Sequence, residues 1–297
     1  MRRVLITGGT GFVGAHCRQR LIERGDEVHL LSRQRGSLSG CRVHSGDLLD
    51  PERVEEVVAL VRPTHLLHLA WVTTPGVYWA ARENHAWVKA SENLVRLFTE
   101  YGGRRVVVAG SCAEYDWSGG TCDEETTPLR PATLYGQCKH ELHLRLKRVE
   151  NVQLAWARLF FLYGPAEHPS RLVGSVILSL LGGQPAASSS GTQERDFLHT
   201  ADAAEALVTL LHAEACGAFN VASGQARPVR EVVGVIAELL GRPELIAYGA
   251  RPAPAGEPAK IEGAIGRIAA LGWKPRFDLR TGLAQTISWW RRQQHAA

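Results

Sequence analysis

The segment Thr7-Gly8-Gly9-Thr10-Gly11-Phe12-Val13-Gly14 constrains this chain more than any other. Before it, Arg3-Val4-Leu5-Ile6 reads as a buried strand; after it, residues from about Phe12 to Arg24 read as a helix. Glycines at 8, 11 and 14 permit a tight turn, close approach of the backbone to a pyrophosphate, and close packing of helix on strand. The helix N-terminus then turns its N–H groups toward the phosphates, with Thr10, Phe12 and Val13 beside them. A strand–turn–helix opening of this kind leads to a parallel sheet, because parallel strands need such crossovers.

The rhythm continues through the first half. Glu27–Leu31, Val43-His44, His65–Leu69, Arg105–Ala109 and Gln153–Ala157 read as strands. Helices are expected over Pro51–Leu60, about Ala80–Tyr101 and Leu134–Glu150. Near-continuous apolar strands alternating with helices predict an α/β fold, a Rossmann doubly wound parallel sheet buried on both faces. After Gly164-Pro165 the rhythm changes. Ser170–Leu181 and Leu279–Arg292 read as helices, and the Pro/Gly-rich stretch Tyr248–Pro258 as a loop over a site. The expected organisation is a dinucleotide-binding domain over 1–165, with returning segments near 196–222. Residues 166–297 then form mainly a smaller, mostly helical substrate-binding region.

Composition narrows the function. The 297 residues are 45% hydrophobic, and 34 basic against 30 acidic residues give a net charge of +4. No run of like charge stands out, so nucleic acid is not the expected partner. Val4-Leu5-Ile6 is too short for a signal peptide or membrane span, which points to a cytoplasmic protein without a membrane partner. The six cysteines, Cys17, Cys41, Cys112, Cys122, Cys138 and Cys216, show no CxxC pair and no metal-ligand rhythm. They read as reduced thiols, and no metal is expected.

The end of the second strand usually tells NAD from NADP, because an acid there takes the ribose 2′-hydroxyl. Here Ser32-Arg33-Gln34-Arg35 stands instead. A hydroxyl and a guanidinium suit a 2′-phosphate, so NADP (NADPH) is preferred and NAD is the alternative. Solvated loop charge is the plainer reading of Arg33 and Arg35. Asp47 can accept from an adenine amino group or serve as an acid at a helix start.

Tyr135 and Lys139 lie at i and i+4, on one helix face. A phenol is a poor acid near neutral pH until a cation stabilises its anion, and Lys139 can be that cation. Tyr135 can then pass a proton to a carbonyl oxygen, and Ser111, at the mouth of its strand, can hydrogen-bond the same oxygen.

With these residues in this order, the chain resembles the extended short-chain dehydrogenase/reductases, the nucleotide-sugar epimerase/dehydratase/reductase group. The resemblance spans nearly the whole length. Thr7–Gly14 matches the family's GxxGxxG cradle, Asp47-Leu48 its adenine acid, and His68-Leu69-Ala70 its strand beside the cofactor. Ser111, Tyr135 and Lys139 match its catalytic triad. Arg158 through Tyr163-Gly164-Pro165 looks like the strand and turn near the nicotinamide, which implies a cofactor contact from Phe160. Arg195-Asp196-Phe197-Leu198-His199 looks like the RDxxH segment, whose arginine faces the substrate diphosphate in relatives. Phe219-Asn220-Val221 and Leu271-Gly272-Trp273 also fit. The resemblance implies a nucleoside-diphosphate sugar as substrate and a homodimer through the long helices near 82–101 and 135–150. Cys112, Glu114, Arg171 and Arg195 are the candidate substrate contacts.

Three family reactions compete: 4,6-dehydration, 4-epimerisation and ketone reduction. Dehydratase relatives carry an acid two residues after the strand-end hydroxyl, where this chain has Ala113, and Glu114 is out of register by one. Epimerases keep NAD bound, whereas reductases consume a soluble cofactor, most often NADPH, so Ser32-Arg33 favours reduction. Phe161 and Trp87 replace two family asparagines, with Asn84 one turn before Trp87. Trp71, Tyr78, Trp79 and Trp117 are candidates to line the sugar side. The expected function is NADPH-dependent reduction of a 4-keto-6-deoxy sugar nucleotide. The alternatives are an NAD-dependent 4-epimerase and a non-catalytic dinucleotide sensor.

Overall fold

The computed structural model describes residues 2–252 and 256–296. The first half lays down β1 (Arg3–Thr7), α1 (Gly14–Glu23), β2 (Glu27–Ser32), β3 (Cys41–Ser45), α2 (Pro51–Val61), β4 (His65–His68), α3 (Asn84–Glu100) and β5 (Arg105–Ser111). A short β6 (Thr121–Cys122) precedes α4 (Leu134–Leu146), β7 (Gln153–Leu159), β8 (Phe161–Tyr163), α5 (Leu172–Leu181) and β9 (Ala186–Ala187). Next come β10 (Glu194–His199), α6 (Thr200–His212), β11 (Gly217–Val221), β12 (Ala226–Pro228) and α7 (Val229–Leu240). β13 (Ile246–Ala247), β14 (Lys260–Gly263), α8 (Gly266–Ala269) and α9 (Leu279–Ala296) close the chain.

Seven strands pair in the order β3-β2-β1-β4-β5-β7-β11, every pair parallel. Strand order reverses between β1 and β4, and ligands of open α/β sheets bind at the carboxyl ends beside such a switch. The near-continuous apolar strands are explained by burial on both faces. Cys17 and Leu21 of α1 with Ala203 and Leu207 of α6 cover one face. Val54 of α2, Leu94 and Phe98 of α3, and Leu142 of α4 cover the other. Every residue of β5 is buried, which fixes Ser111 at its end.

Two helices are shorter than their patterns suggest. α3 begins at Asn84, not near Ala80, because the Asn84 amide donates to the carbonyls of Tyr78 and Ala81, both at 2.8 Å, and holds that segment as turns. α4 stops at Leu146 rather than Glu150. The C-terminal region holds α5, α7 and α9 around Ile177, Val233, Ile236 and Leu283. It also contributes to a second sheet, β12-β10-β14-β6 with β8 beside β10, whose strands other than β10 are too short to show a period in sequence. Of the stretch Tyr248–Pro258, residues 253–255 lie outside the described residues. No described helix is long and apolar enough to cross a membrane.

Candidate active site

The turn after β1 is built by close approach. Gly8 has φ +71°, and a Cβ there would lie 2.7 Å from the Ala70 nitrogen. The Gly11 N–H donates to the Gly8 carbonyl at 3.0 Å, which closes the turn, and Gly14 starts α1 directly against that carbonyl. No side chain caps α1 at Val13, and although the Ala15 N–H donates to the Gly11 carbonyl, the helix N-terminus keeps its positive dipole end free for an anion. This cradle fits a dinucleotide pyrophosphate. Thr10 and Gly11 are exposed at its rim, and Phe12 and Val13 are partly buried.

β4 supplies the facing wall. Leu69 donates to the Thr7 carbonyl, and the Ala70 N–H to Thr7 Oγ1. Behind them His68 bridges Thr7 Oγ1 at 2.6 Å and Ser91 Oγ at 2.8 Å, and burial lowers its pKa to about 3, so the imidazole is neutral. At the β2 end, Ser32 Oγ accepts from the Gln34 N–H at 3.1 Å. Ser32, Thr10, Leu30, Arg35, Leu38 and Val43 line a shallow cavity there, and Arg33 is exposed. Asp47 Oδ1 accepts from the Leu49 N–H, making the turn into α2, while Leu48 is buried.

Ser111, Tyr135 and Lys139 come together because α4 packs onto the turn after β5. Ser111 Oγ caps a single 3₁₀ turn, Cys112–Glu114, by accepting from the Ala113 N–H at 3.1 Å. Thr133 caps α4 by accepting from the Gly136 N–H at 3.1 Å. At Gly136 a Cβ would run into the Ala113 carbonyl, so only glycine lets α4 lie this close. The Lys139 ammonium, 3% exposed, donates to the Ala109 carbonyl at 2.8 Å and sits 3.7 Å above the Trp71 ring. Burial lowers it to about 7, against the pull of the Glu114 carboxylate.

One electrostatic expectation is corrected. Lys139 was expected to bring the Tyr135 phenol down. Instead burial and then the neighbouring Tyr78 push that phenol up, with Ser111 working the other way. Lys139 is turned to Ala109 and Trp71 and lies 5.9 Å from the Tyr135 ring centre. Tyr135 is therefore firmly in its acid form. Tyr78 and Trp79 stand edge-on to it, with ring centres at 4.9 and 5.7 Å.

The expected substrate contacts fare differently. Glu114 is fully buried and faces Trp156 and Arg158 of β7. It accepts from the Ser111 N–H at 2.8 Å, Trp156 Nε1 at 2.9 Å and Arg158 Nε at 3.1 Å. Its carboxylate supports the Ser111 turn instead of touching substrate. Cys112 is buried, and burial pushes its thiol up, so it is a packing group. Phe160 is buried and packs with Cys112, Tyr115 and Ala222 in a small cluster. Arg195 is 5% exposed, and its guanidinium donates to Glu257 at 2.6 Å and to the Pro258 carbonyl at 2.9 Å. Arg171, at the start of α5, is partly buried within electrostatic reach of Tyr78 and Glu167.

Two sets of supporting residues escaped the sequence reading. Asn84 accepts from Trp71 Nε1 at 2.7 Å and so sets the ring under Lys139. Arg158 donates to Tyr115 Oη at 2.9 Å, and Tyr115 in turn to Asn220 at 2.7 Å, extending the Glu114 network. The available signal was the i, i+2 spacing of Trp156 and Arg158 in β7, which puts both on the face toward Glu114.

A family model described as the NAD dependent epimerase/dehydratase family matches residues 4–222. A putative UDP-glucose 4-epimerase of Methanocaldococcus jannaschii is 25% identical, over 96% of this chain and 97% of that protein. A dTDP-4-dehydro-6-deoxy-D-allose reductase from a Streptomyces species is 26% identical, over 98% and 96%. Among solved structures, MoeE5 in complex with UDP-glucose and NAD superposes with a TM-score of 0.84 at 30% identity, covering 98% of this chain and 99% of that one. With the glycine cradle, the parallel sheet and the serine–tyrosine–lysine cluster in place, the chain belongs to the NAD-dependent epimerase/dehydratase family, within the extended short-chain dehydrogenase/reductases.

Proposed function

We propose that this protein is an NADPH-dependent ketoreductase acting on a nucleoside-diphosphate 4-keto-6-deoxy sugar. The observation that carries the reading is the β2 end, where Ser32 and the exposed Arg33 stand in place of an acid. A carboxylate there would repel a 2′-phosphate, whereas a hydroxyl and a guanidinium accept it. Gly8 through Gly14 hold the pyrophosphate, and Leu69 and Ala70 border the cofactor's path.

The bound nicotinamide supplies hydride to the ketone carbon. Ser111 donates a hydrogen bond to the ketone oxygen. Tyr135, kept protonated by its enclosure, gives that oxygen its proton, and Lys139 offsets the charge left on the phenolate. The raised phenol pKa suits the reductive direction, which needs the acid form at the start. Arg171 and Arg195 supply positive charge for the substrate diphosphate, Arg195 from within its pair with Glu257. Elimination of water is disfavoured, since Ala113 has no acid and Glu114 is held by Arg158 and Trp156. The same reading carries a homodimer through the outer faces of α3 and α4, where Leu144 is 45% exposed.

An NAD-dependent 4-epimerase is the second reading, favoured by the 4-epimerase name of a relative that spans the whole chain. Mass analysis of ligand released by denaturing the purified protein separates the two. Retained NAD supports the epimerase. Protein that purifies without NAD and oxidises NADPH on addition of a 4-keto-6-deoxyhexose nucleotide supports the reductase. Failure to oxidise NADPH across several such nucleotides overturns it.

A further inference from the structure

α4, which carries Tyr135 and Lys139, and its neighbour α3 gather three metal-ligating side chains at their seam. His85 lies in the first turn of α3, and Cys138 and Glu141 lie one turn apart on α4. One ligand atom from each falls within 4.8 Å of the others. Cys138 Sγ and His85 Nδ1 are 3.6 Å apart. A tetrahedral ion bound to sulfur at about 2.3 Å and to imidazole nitrogen at about 2.0 Å sets those two atoms about 3.6 Å from each other. The pair therefore already has the separation of two ligands on one ion. Glu141 Oε1 accepts from Arg145 Nε at 3.0 Å and Nη2 at 2.7 Å, and the same guanidinium reaches Glu92, so an ion at this seam would share the carboxylate with Arg145 or take its other oxygen.

We propose that His85, Cys138 and Glu141 form a site for a divalent cation of the zinc class, with a fourth position open to water. Thiolate, imidazole and carboxylate together suit that class better than an oxygen-seeking cation such as magnesium. The bound ion clasps the start of α3 to α4. That clasp acts on the catalytic side through a single turn. Asn84, next to His85, holds Trp71 by its indole N–H, and the Trp71 ring carries the Lys139 ammonium. A second trio, Glu114, His140 and His143, also lies close together, but Glu114 is fully engaged by Arg158 and Trp156. The inference does not depend on which sugar reaction the protein performs.

Cobalt(II) added to metal-stripped protein is the direct test, read by absorption and by thermal unfolding. One equivalent is expected to give a thiolate-to-cobalt charge-transfer band and tetrahedral visible bands. Zinc should displace cobalt and raise the unfolding temperature, because it binds the folded state. Cys138→Ser is expected to abolish the thiolate band. His85→Ala, an exposed position, should weaken cobalt binding by at least about tenfold, since loss of even an outer-shell partner costs that much. Glu141→Gln should weaken it less. Absence of a thiolate band in the unaltered protein overturns the proposal. So does a band that survives in Cys138→Ser, which would place the metal on another cysteine such as the exposed Cys216. If Cys138→Ser does not fold, cobalt affinity unchanged in His85→Ala overturns it equally.

Discussion

The proposed cofactor wall and the proposed substrate wall of this site are made of different material. The cofactor wall is mostly backbone: the Gly8–Gly11 turn, the uncapped start of α1, and the ends of β1 and β4. The proposed substrate wall is mostly side chain: Tyr78 and Trp79 on Tyr135, Trp71 under Lys139, and Arg195 paired with Glu257, with the fully buried Arg158–Glu114 pair behind the Ser111 turn. A backbone wall depends on glycines that cannot be exchanged and so announces itself in sequence. A side-chain wall depends on partners brought from distant elements and can be rebuilt for a new substrate while the sheet stays unchanged.

The strongest test of the division is Tyr135→Phe. The change removes one hydroxyl whose partner is Ser111, so folding and cofactor affinity are expected to hold. Turnover should fall by about 10²- to 10⁴-fold, the usual contribution of a positioned proton donor. NADPH oxidation and thermal melting are measured on the same sample. Retained turnover, or turnover lost together with the fold, removes Tyr135 from its assigned role.

The two ion pairs, Arg158–Glu114 behind the Ser111 turn and Arg195–Glu257 nearer the surface, make an internal contrast. Glu114 and Arg158 are both essentially unexposed, and Glu114 also holds the Ser111 N–H. Glu114→Gln leaves a buried guanidinium without its counter-charge, at a cost of about 3–5 kcal/mol. The unfolding midpoint should drop by roughly 6 °C or more, taking about 2 °C per kcal/mol for a chain of this size. Glu257 is 24% exposed and the buried Arg195 guanidinium keeps the Glu194 and Pro258 carbonyls as acceptors, so Glu257→Gln should cost less, about 1–3 kcal/mol. Denaturant unfolding of both variants measures the difference. Equal losses would mean that burial does not separate the two pairs.

This contrast also explains what could be read from the sequence. The sheet, the cradle and the Ser111/Tyr135/Lys139 cluster were legible because strand periodicity, glycine spacing and i, i+4 geometry are local. Glu114 was misread as a substrate contact because its acid lies near Ser111 in sequence. Its partners, Trp156 and Arg158, arrive only when β7 pairs with β5. Arg195 looked available for the same reason, since Glu257 is distant along the chain. The helix expected from about Ala80 starts only at Asn84, whose amide holds the Tyr78 and Ala81 carbonyls in turns. The seam of His85 with Cys138 was invisible to cysteine spacing, because its imidazole comes from another helix.

Glu167 carries the contrast into pH. Its side chain is 4% exposed, Oε2 has no hydrogen-bond partner among the described residues, and burial raises its pKa from 4.5 to about 8. The folded state therefore holds a proton that the unfolded chain releases above its own pKa of 4.5. Stability contributed by this group is fully present below pH 4.5 and is lost as pH rises toward 8. Glu167→Gln, which cannot ionise, should flatten that decline and stabilise the protein on the order of 4 kcal/mol at pH 8, given about 1.4 kcal/mol per pKa unit. Unfolding midpoints from pH 5 to 8 check it, and parallel curves for the two proteins count against it.

The smallest expected effect falls on the cofactor wall, at its one position where a side chain decides. Ser32 ends β2, and its hydroxyl accepts from the Gln34 N–H, a bond that an aspartate carboxylate can also accept. Ser32→Asp should therefore fold normally. Its carboxylate would take the hydroxyl of an unphosphorylated ribose and repel a 2′-phosphate. Arg33 and Arg35 remain nearby and exposed, so the repulsion is partly screened. The ratio of NADPH to NADH affinity should move toward NADH by about tenfold, which corresponds to about 1.4 kcal/mol. Fluorescence titration of both nucleotides measures the ratio without any turnover. An unchanged ratio would move cofactor choice away from the β2 end and would weaken the reductase reading together with it.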